Sequence, residues 1–392
     1  MNRRTLAILS LAISVALVAG GIRPALSADP YEINIIAPIT GGGAFIAATQ
    51  QKSMKVLEGL INKQGGIQGR PVHFSYLDDQ TNPQVTVQLA NGLISKKAPV
   101  VLGSSLSGMC KAIAPLFATT GPLQYCLSPA IYPAKGSYVF TASVSTRDLL
   151  FATVRFFREK GWTKIAMLST TDASGQDGDR DLNDALTFPE NKGVTLVAAE
   201  HYNPSDVSAS AQVARIKSKS PQAIIIWAPG TPFGTALHAM NEIGLDIPIA
   251  TTSANMVSAQ LKGYASFAPK YLVGPGLTYA AGIATTPQVG AQQKIYSDAL
   301  KDAGLQPNDV QAGLTWDAAL IVVDALKHLG PNATPEQLRD YISGLKDFAG
   351  ITGVYNFVDV PQRGVTIADV VMQRWDFAKS QWENVSKAGA TL

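Results

Sequence analysis

Cysteine and histidine are both scarce in this chain, with two of the first and four of the second among 392 residues. The histidines (His73, His201, His238 and His328) fall in unrelated segments, two in strand-like runs and two in helical ones. They give neither the spacing of a metal site nor a partnered catalytic base, so no metal, no cofactor and no enzymatic activity is expected. Charge is low too, at 16%, against 46% hydrophobic residues, which excludes a disordered chain. No basic stripe interleaved with aromatics is present, which excludes the usual footprint of nucleic-acid binding. Only one long apolar run occurs, at the N-terminus, and it is too short for a membrane anchor.

That run reads as a leader. Met1-Asn2-Arg3-Arg4 is positive, Leu6 to Gly20 is apolar, and Arg23 to Ala28 ends in small residues, the pattern of a secretory signal peptide cleaved near Ala28. No cysteine sits near the cleavage point, so a lipid anchor there is not expected. Losing residues 1–28 removes three arginines and no acid, and the net charge falls from +3 to zero. The basic balance of the precursor therefore says nothing about partners. An exported, soluble protein in the periplasm of a Gram-negative bacterium is the simplest reading. In that oxidising compartment Cys110 and Cys126 point to a disulfide, with two buried thiols or a metal pair as the alternatives.

What is present is an alternation of strand and helix patterns. Tyr31–Pro38, Val72–Leu77, Val100–Leu102 and Leu123–Leu127 read as strands, with helices over 47–64, 83–97 and 110–119. The pattern restarts with a helix over 149–160 and strands Lys164–Leu168, Val194–Glu200, Ala223–Trp227 and Ile247–Thr251. Residues from about 170 read as a polar loop, with the next helix over 182–191. The order βαβα implies parallel sheets covered on both faces, hence an α/β protein of two domains. Three later helices (288–303, 310–329 and 335–345) bring too few strands for a third sheet. The chain is therefore expected to return: residues 29–143 with 280–354 in one lobe, 144–279 with 355–392 in the other, the crossings forming a hinge.

Residues 98–115, APVVLGSSLSGMCKAIAP, pass from strand to helix through two glycines and three serines. The spacing is not Gly-x-Ser-x-Gly, so there is no nucleophile elbow, and no Gly-Lys-Ser/Thr follows, so there is no Walker loop. Free N–H groups at a helix start beside small hydroxyls make an anion seat, or else the serines only cap the turn. Ligands of open parallel sheets lie beyond the carboxyl ends of the strands. Those ends are the loops near 39–46, 103–109, 128–132, 170–176, 228–232 and 251–255. Glycines 41–43 allow close backbone approach, with Phe45 placed to stack on a ring or to pack in the core.

The stretches 37–83, 94–130, 313–326 and 345–357 together resemble the type I periplasmic binding proteins of branched-chain amino acid (leucine/isoleucine/valine) ABC importers. The resemblance implies two Rossmann-like lobes with parallel central sheets, joined by a multi-crossover hinge, that close on a small solute. It places a ligand carboxylate against Ser107, Gly108 and Met109, and aligns Ser128-Pro129, with Ala130, Ile131 and Tyr132 reading the ligand next. A disulfide between Cys110 and Cys126 would brace these two loops. The second lobe departs from the amino-acid binders: TTDASGQDG puts Ser174 where an aromatic lid is usual, and TTSANMV offers Ser253 and Asn255 where those binders place an acid. A buried ammonium without a counter-charge costs several kcal/mol. A small aromatic or other amino-free acid is therefore expected, read by Ser174, Thr231, Ser253 and Asn255, with Phe233 and Tyr279 as apolar surface. Trp227, inside AIIIWAP, is a third candidate for that apolar surface but reads rather as sheet core. The expected partners are that carboxylate and an ABC permease in the inner membrane, with the binding protein a monomer. A branched-chain or other amino acid, an amide, or a sensory role in place of import stays open.

Overall fold

The computed structural model describes residues 29–267 and 269–392, so the leader read at residues 1–28 lies outside the described residues. The first part of the chain runs β1 (Tyr31–Ala37), α1 (Ala44–Lys63), β2 (Val72–Asp78), α2 (Pro83–Ser95), β3 (Val100–Gly103), α3 (Ser107–Phe117), β4 (Leu123–Cys126) and β5 (Val139–Thr141). Its strands form a parallel five-stranded sheet in the order β2-β1-β3-β4-β5. Next come α4 (Thr146–Glu159), β6 (Lys164–Thr170), α5 (Ala173–Thr187), β7 (Thr195–Tyr202), α6 (Ser210–Ser218), β8 (Ala223–Trp227), α7 (Thr231–Ile243), β9 (Ile249–Thr251), α8 (Ser258–Lys262) and β10 (Leu272–Leu277). Their strands repeat the plan as β7-β6-β8-β9-β10. In each sheet the strand order reverses beside the first strand, which opens a crevice at the carboxyl ends.

The chain continues through α9 (Thr278–Ala281), α10 (Pro287–Asp302), α11 (Val310–Leu329), α12 (Pro335–Gly344), the short hairpin β11 (Phe348–Ala349) and β12 (Val354–Tyr355), then β13 (Val370–Asp376) and β14 (Gln381–Asn384). β13 and β14 add antiparallel to the β10 edge of the second sheet, which reaches seven strands. α11 packs on α1 of the first: Gln50 Nε2 donates to Gln311 Oε1 at 3.0 Å and Ser53 Oγ to the carbonyl of Ala312 at 2.5 Å. Asp317 on α11 accepts from Ile351 N, Thr352 N and Tyr355 Oη at 2.8, 2.9 and 3.0 Å, pinning the returning segment. Burial raises its carboxyl above the usual range despite those donors.

Local chemistry explains most of these elements. β8, AIIIW, is buried along its whole length, as a central strand covered on both faces must be. α2 starts where Asn82 accepts from Gln84 N and Val85 N ahead of Pro83. α12 starts in a reciprocal capping box of Thr334 and Gln337. Several starts differ from the sequence reading, with α1 and α4 each beginning three residues earlier than expected. α3 begins at Ser107 rather than Cys110. α5 begins at Ala173, where a polar loop was expected up to residue 181. Up to residue 181 its buried side is Ser174, Gly175, Asp177, Gly178 and Asp181, small or acidic residues that carry no hydrophobic signal, and the apolar Leu182 and Ala185 follow only where a helix was expected. The Asp172 side chain caps it by accepting from Gly175 N at 3.1 Å.

Candidate ligand-binding cleft between the two sheets

The carboxyl ends of the two sheets face each other across a cleft of about 520 Å3, part of it open to solvent. The first sheet contributes Ser105 to Ser107 after β3, Leu127 to Ala130 after β4 and Ser143 after β5. The second contributes Ser174, Trp227, Pro229 and Thr252 to Ala254. Thr146 of α4 and Val310, Gln311 and Leu314 of α11 complete it. Among the described residues, no Asp, Glu, Lys, Arg or His lines this space.

Its polarity comes from backbone ends and hydroxyls. α3, α4, α5 and α11 all bring residues of their first turns to the cleft, so several positive helix ends converge there. α3 and α11 start without a side-chain cap, and at α3 the N-cap residue is the apolar Leu106. A polar chain runs along the back, from Ser105 Oγ to Gln50 Oε1 at 2.6 Å, through Gln50 to Gln311, and from Gln311 Nε2 to the carbonyl of Ser253 at 3.2 Å. One wall is the Trp227 indole. Gly178 of α5 lies against it so closely that a Cβ there would fall 2.4 Å from the ring, so glycine is what lets the indole pack. Trp227 was expected in the sheet core. It ends β8, and its ring reaches past the sheet to the cleft.

The lobes are closed on one another. Thr231 N donates to the carbonyl of Gly42 at 3.2 Å. Asp177, 1% exposed, accepts from Ser107 Oγ across the gap and pairs with Lys111 of α3 and Arg180 of α5. Beside it, Tyr132 Oη donates to Asp181 at 2.8 Å. Burial raises the Asp181 carboxyl, partly offset by Tyr132 and Arg180. A disulfide joins Cys110 to Cys126 with Cα atoms 5.9 Å apart, tying the first turn of α3 to the end of β4.

The sequence-derived candidates divide accordingly. Ser107, Ser128, Ala130, Ser174 and Ser253 line the cleft together. The Ser107 hydroxyl proton, however, is committed to Asp177, which leaves the backbone N–H groups of this turn for a ligand. Gly108, Met109 and Thr231 line a second opening between the lobes that shares Leu106, Ser174 and Pro229 with the cleft. Ile131 and Tyr132 turn outward to a groove with Lys111, Arg180 and Arg339. Asn255 is fully buried and spent on structure, accepting from Gly230 N and donating to Ala228 O and Thr251 Oγ1. Tyr279 is buried with its hydroxyl donated to the carbonyl of Val310, and Phe233 is buried against Tyr264, so neither presents a face to the cleft. Phe45 is 42% exposed and lines neither opening. Sequence reasoning missed Ser143, Thr146, Gln311 and Leu314. The helix start at Ser145-Thr146, with Asp148 following, was a usable signal for Thr146.

The sequence pattern of the periplasmic binding protein family matches residues 30–381. The chain belongs to this family. That family is one of binding proteins rather than enzymes. The Leu/Ile/Val-binding protein homolog 3 of Brucella melitensis is 26% identical over 243 residues, covering 60% of this chain and 65% of that one, just under two thirds of its length. The leucine-, isoleucine-, valine-, threonine- and alanine-binding protein of Pseudomonas aeruginosa is 21% identical over 85% of this chain and 87% of its own. An extracellular ligand-binding receptor of Rhodopseudomonas palustris HaA2 superposes with a TM-score of 0.77 at 22% identity, over 91% of this chain and 99% of that one. The solute-binding protein of an ABC transporter of R. palustris BisB5, solved with 3,4-dihydroxybenzoic acid, gives 0.72 at 20% identity, over 91% and 96%. Both share the two-sheet α/β fold.

Proposed function

We propose that this protein is the periplasmic solute-binding component of an ABC importer and that its ligand is a small acid without an amino group, aromatic in the first instance. The observation that carries this reading is the uncharged cleft lining. An α-amino acid needs a counter-charge for its ammonium in such a space, and the lining offers none. A carboxylate needs only donors, which the uncapped start of α3 and the hydroxyls of Ser128, Ser143, Thr146, Ser174 and Ser253 supply. Trp227 gives a flat apolar wall against which an aromatic ring packs. The bound solute bridges the lobes and favours the closed arrangement, which a permease in the inner membrane then recognises. The complex of the BisB5 protein with 3,4-dihydroxybenzoic acid is in keeping with this ligand class. The names of the amino-acid-binding relatives favour the other.

A thermal-shift panel on the ligand-stripped mature protein separates the two. Benzoates, cinnamates and aliphatic acids stand on one side and amino acids and amides on the other. A true ligand at a hundred times its Kd adds about 2.7 kcal/mol to stability. Stabilisation by amino-free acids supports the proposal. Stabilisation by leucine or alanine alone removes the ligand class and leaves the solute-binding role standing. Co-purification with a permease distinguishes import from sensing.

A further inference from the structure

Arg363 sits in the turn that returns the chain from β12 to β13, and it is 7% exposed. Among the described residues, no carboxylate lies within ion-pair distance of its guanidinium. Its donors go to three carbonyls instead: Nη1 to Ser143 O at 2.8 Å, Nη2 to Ile131 O at 2.6 Å and to Pro129 O at 3.2 Å. Pro129 and Ser143 belong to the two segments that line the cleft from the first sheet. The guanidinium also lies 5.6 Å from the centre of the Tyr132 ring.

Burying a full positive charge without an acid is costly, and dipoles of neutral peptides compensate it only in part. Burial lowers the guanidinium to about 10, so the group stays charged at neutral pH. In a trans peptide the N–H points away from the C=O, so a peptide whose carbonyl is drawn back to Arg363 turns the following N–H the other way. For Pro129 that following residue is Ala130, whose N–H donates to the Ser128 hydroxyl at 3.4 Å, and both residues line the cleft.

We propose that Arg363 is a specificity-determining residue that acts from behind the cleft wall. It orients the 129–131 and 143 peptides and supplies the positive field that makes an uncharged lining select carboxylates over neutral analogues. The inference rests on the reading of the ligand as a carboxylate and names where the missing counter-charge lies. It concerns discrimination of charge, not contact with the ligand.

The test measures binding of two acid–amide pairs, 3,4-dihydroxybenzoate with 3,4-dihydroxybenzamide and leucine with leucinamide, to the wild type, Arg363→Met and Arg363→Lys. In the pair that binds, the wild type favours the acid. R363M weakens the acid about tenfold or more while the amide holds, as expected for a charge several ångströms away in a partly polar medium. R363K keeps the acid preference at pH 7 and loses it by about pH 9, because a buried lysine deprotonates earlier than the wild-type guanidinium, which burial lowers only to about 10. The other titratable groups facing position 363 are Tyr125, Tyr132, Asp148 and Asp181. Burial pushes both tyrosines up, Tyr132 to about 12, above that range. Equal losses for acid and amide in R363M, or a wild type that does not prefer the acid, overturn the proposal. If R363M fails to fold, the pH dependence of R363K decides alone, and a flat profile overturns it. Binding of the leucine pair only would sink the amino-free reading while the acid–amide ratio still judges Arg363. Binding of neither acid overturns both.

Discussion

α3 and α5 each carry two regions of opposite character a single turn apart. Their first turns, with Ser107 and Ser174, face the cleft, which has no charged lining residue among the described residues. One turn on, Lys111, Asp177, Arg180 and Asp181 crowd against each other across the lobe boundary. The cleft lining is neutral and keeps the hydroxyls of Ser128, Ser143, Thr146, Ser174 and Ser253 free to donate, whereas the flank satisfies its charges within the protein. The contrast assigns ligand selection to the first region and closure to the second. Lobe closure then has a protein-made contribution that every ligand shares, while discrimination stays with hydroxyls, helix ends and Trp227.

The strongest way to break the contrast is to put a charge into the neutral region. Ser253→Asp is expected to cost an amino-free acid about 3 kcal/mol or more in binding, through an unpaired like charge in a confined site. Leucine should lose far less or gain; calorimetry on both ligands reads the outcome, and equal losses would argue that the Ser253 wall does not meet the ligand. Removing the aromatic wall with Trp227→Ala is expected to cost about 3 kcal/mol in stability, read by denaturant melts. Aromatic acids should weaken more than aliphatic ones, and a uniform loss would return Trp227 to a purely structural part.

The disulfide joins the two ligand-facing segments of the first sheet, so replacing Cys110 and Cys126 by serine tests whether they act as one wall. The 16-residue separation sets an expected stability loss of about 3 kcal/mol, with a smaller loss of affinity. The smallest effect belongs to the flank. Asp177→Asn leaves Lys111 and Arg180 facing each other and is expected to weaken acids and amides alike, about tenfold at low salt and less as salt screens the pair. A loss confined to acids would move Asp177 into the ligand site.

Much of this was legible along the chain. Parallel-sheet strands such as AIIIW announce themselves by continuous burial, and GSSLSG excluded two kinds of chemistry by spacing alone. The lack of an acid in TTSANMV was visible in the letters, and Ser253 does line the cleft. Asn255, two residues on, faces away because its amide is needed to satisfy Gly230 and Ala228 in a buried turn. The first half of α5 escaped notice because its packed face there is built of glycine, serine and aspartate, whose burial depends on what the other lobe brings.

By itself the sequence determined the alternation of elements, the candidate leader, the scarcity of catalytic groups and the two cysteines. These follow from local spacing and composition, which act over a few residues. Only the tertiary structure decided that Trp227 faces the cleft, that Ser107 gives its proton to Asp177, and that Arg363 reaches Pro129 and Ser143 from more than 200 positions away. Hydrogen bonds and charges take their partners from space rather than from the chain. Which donors stay free for a ligand is fixed only when both lobes are in place.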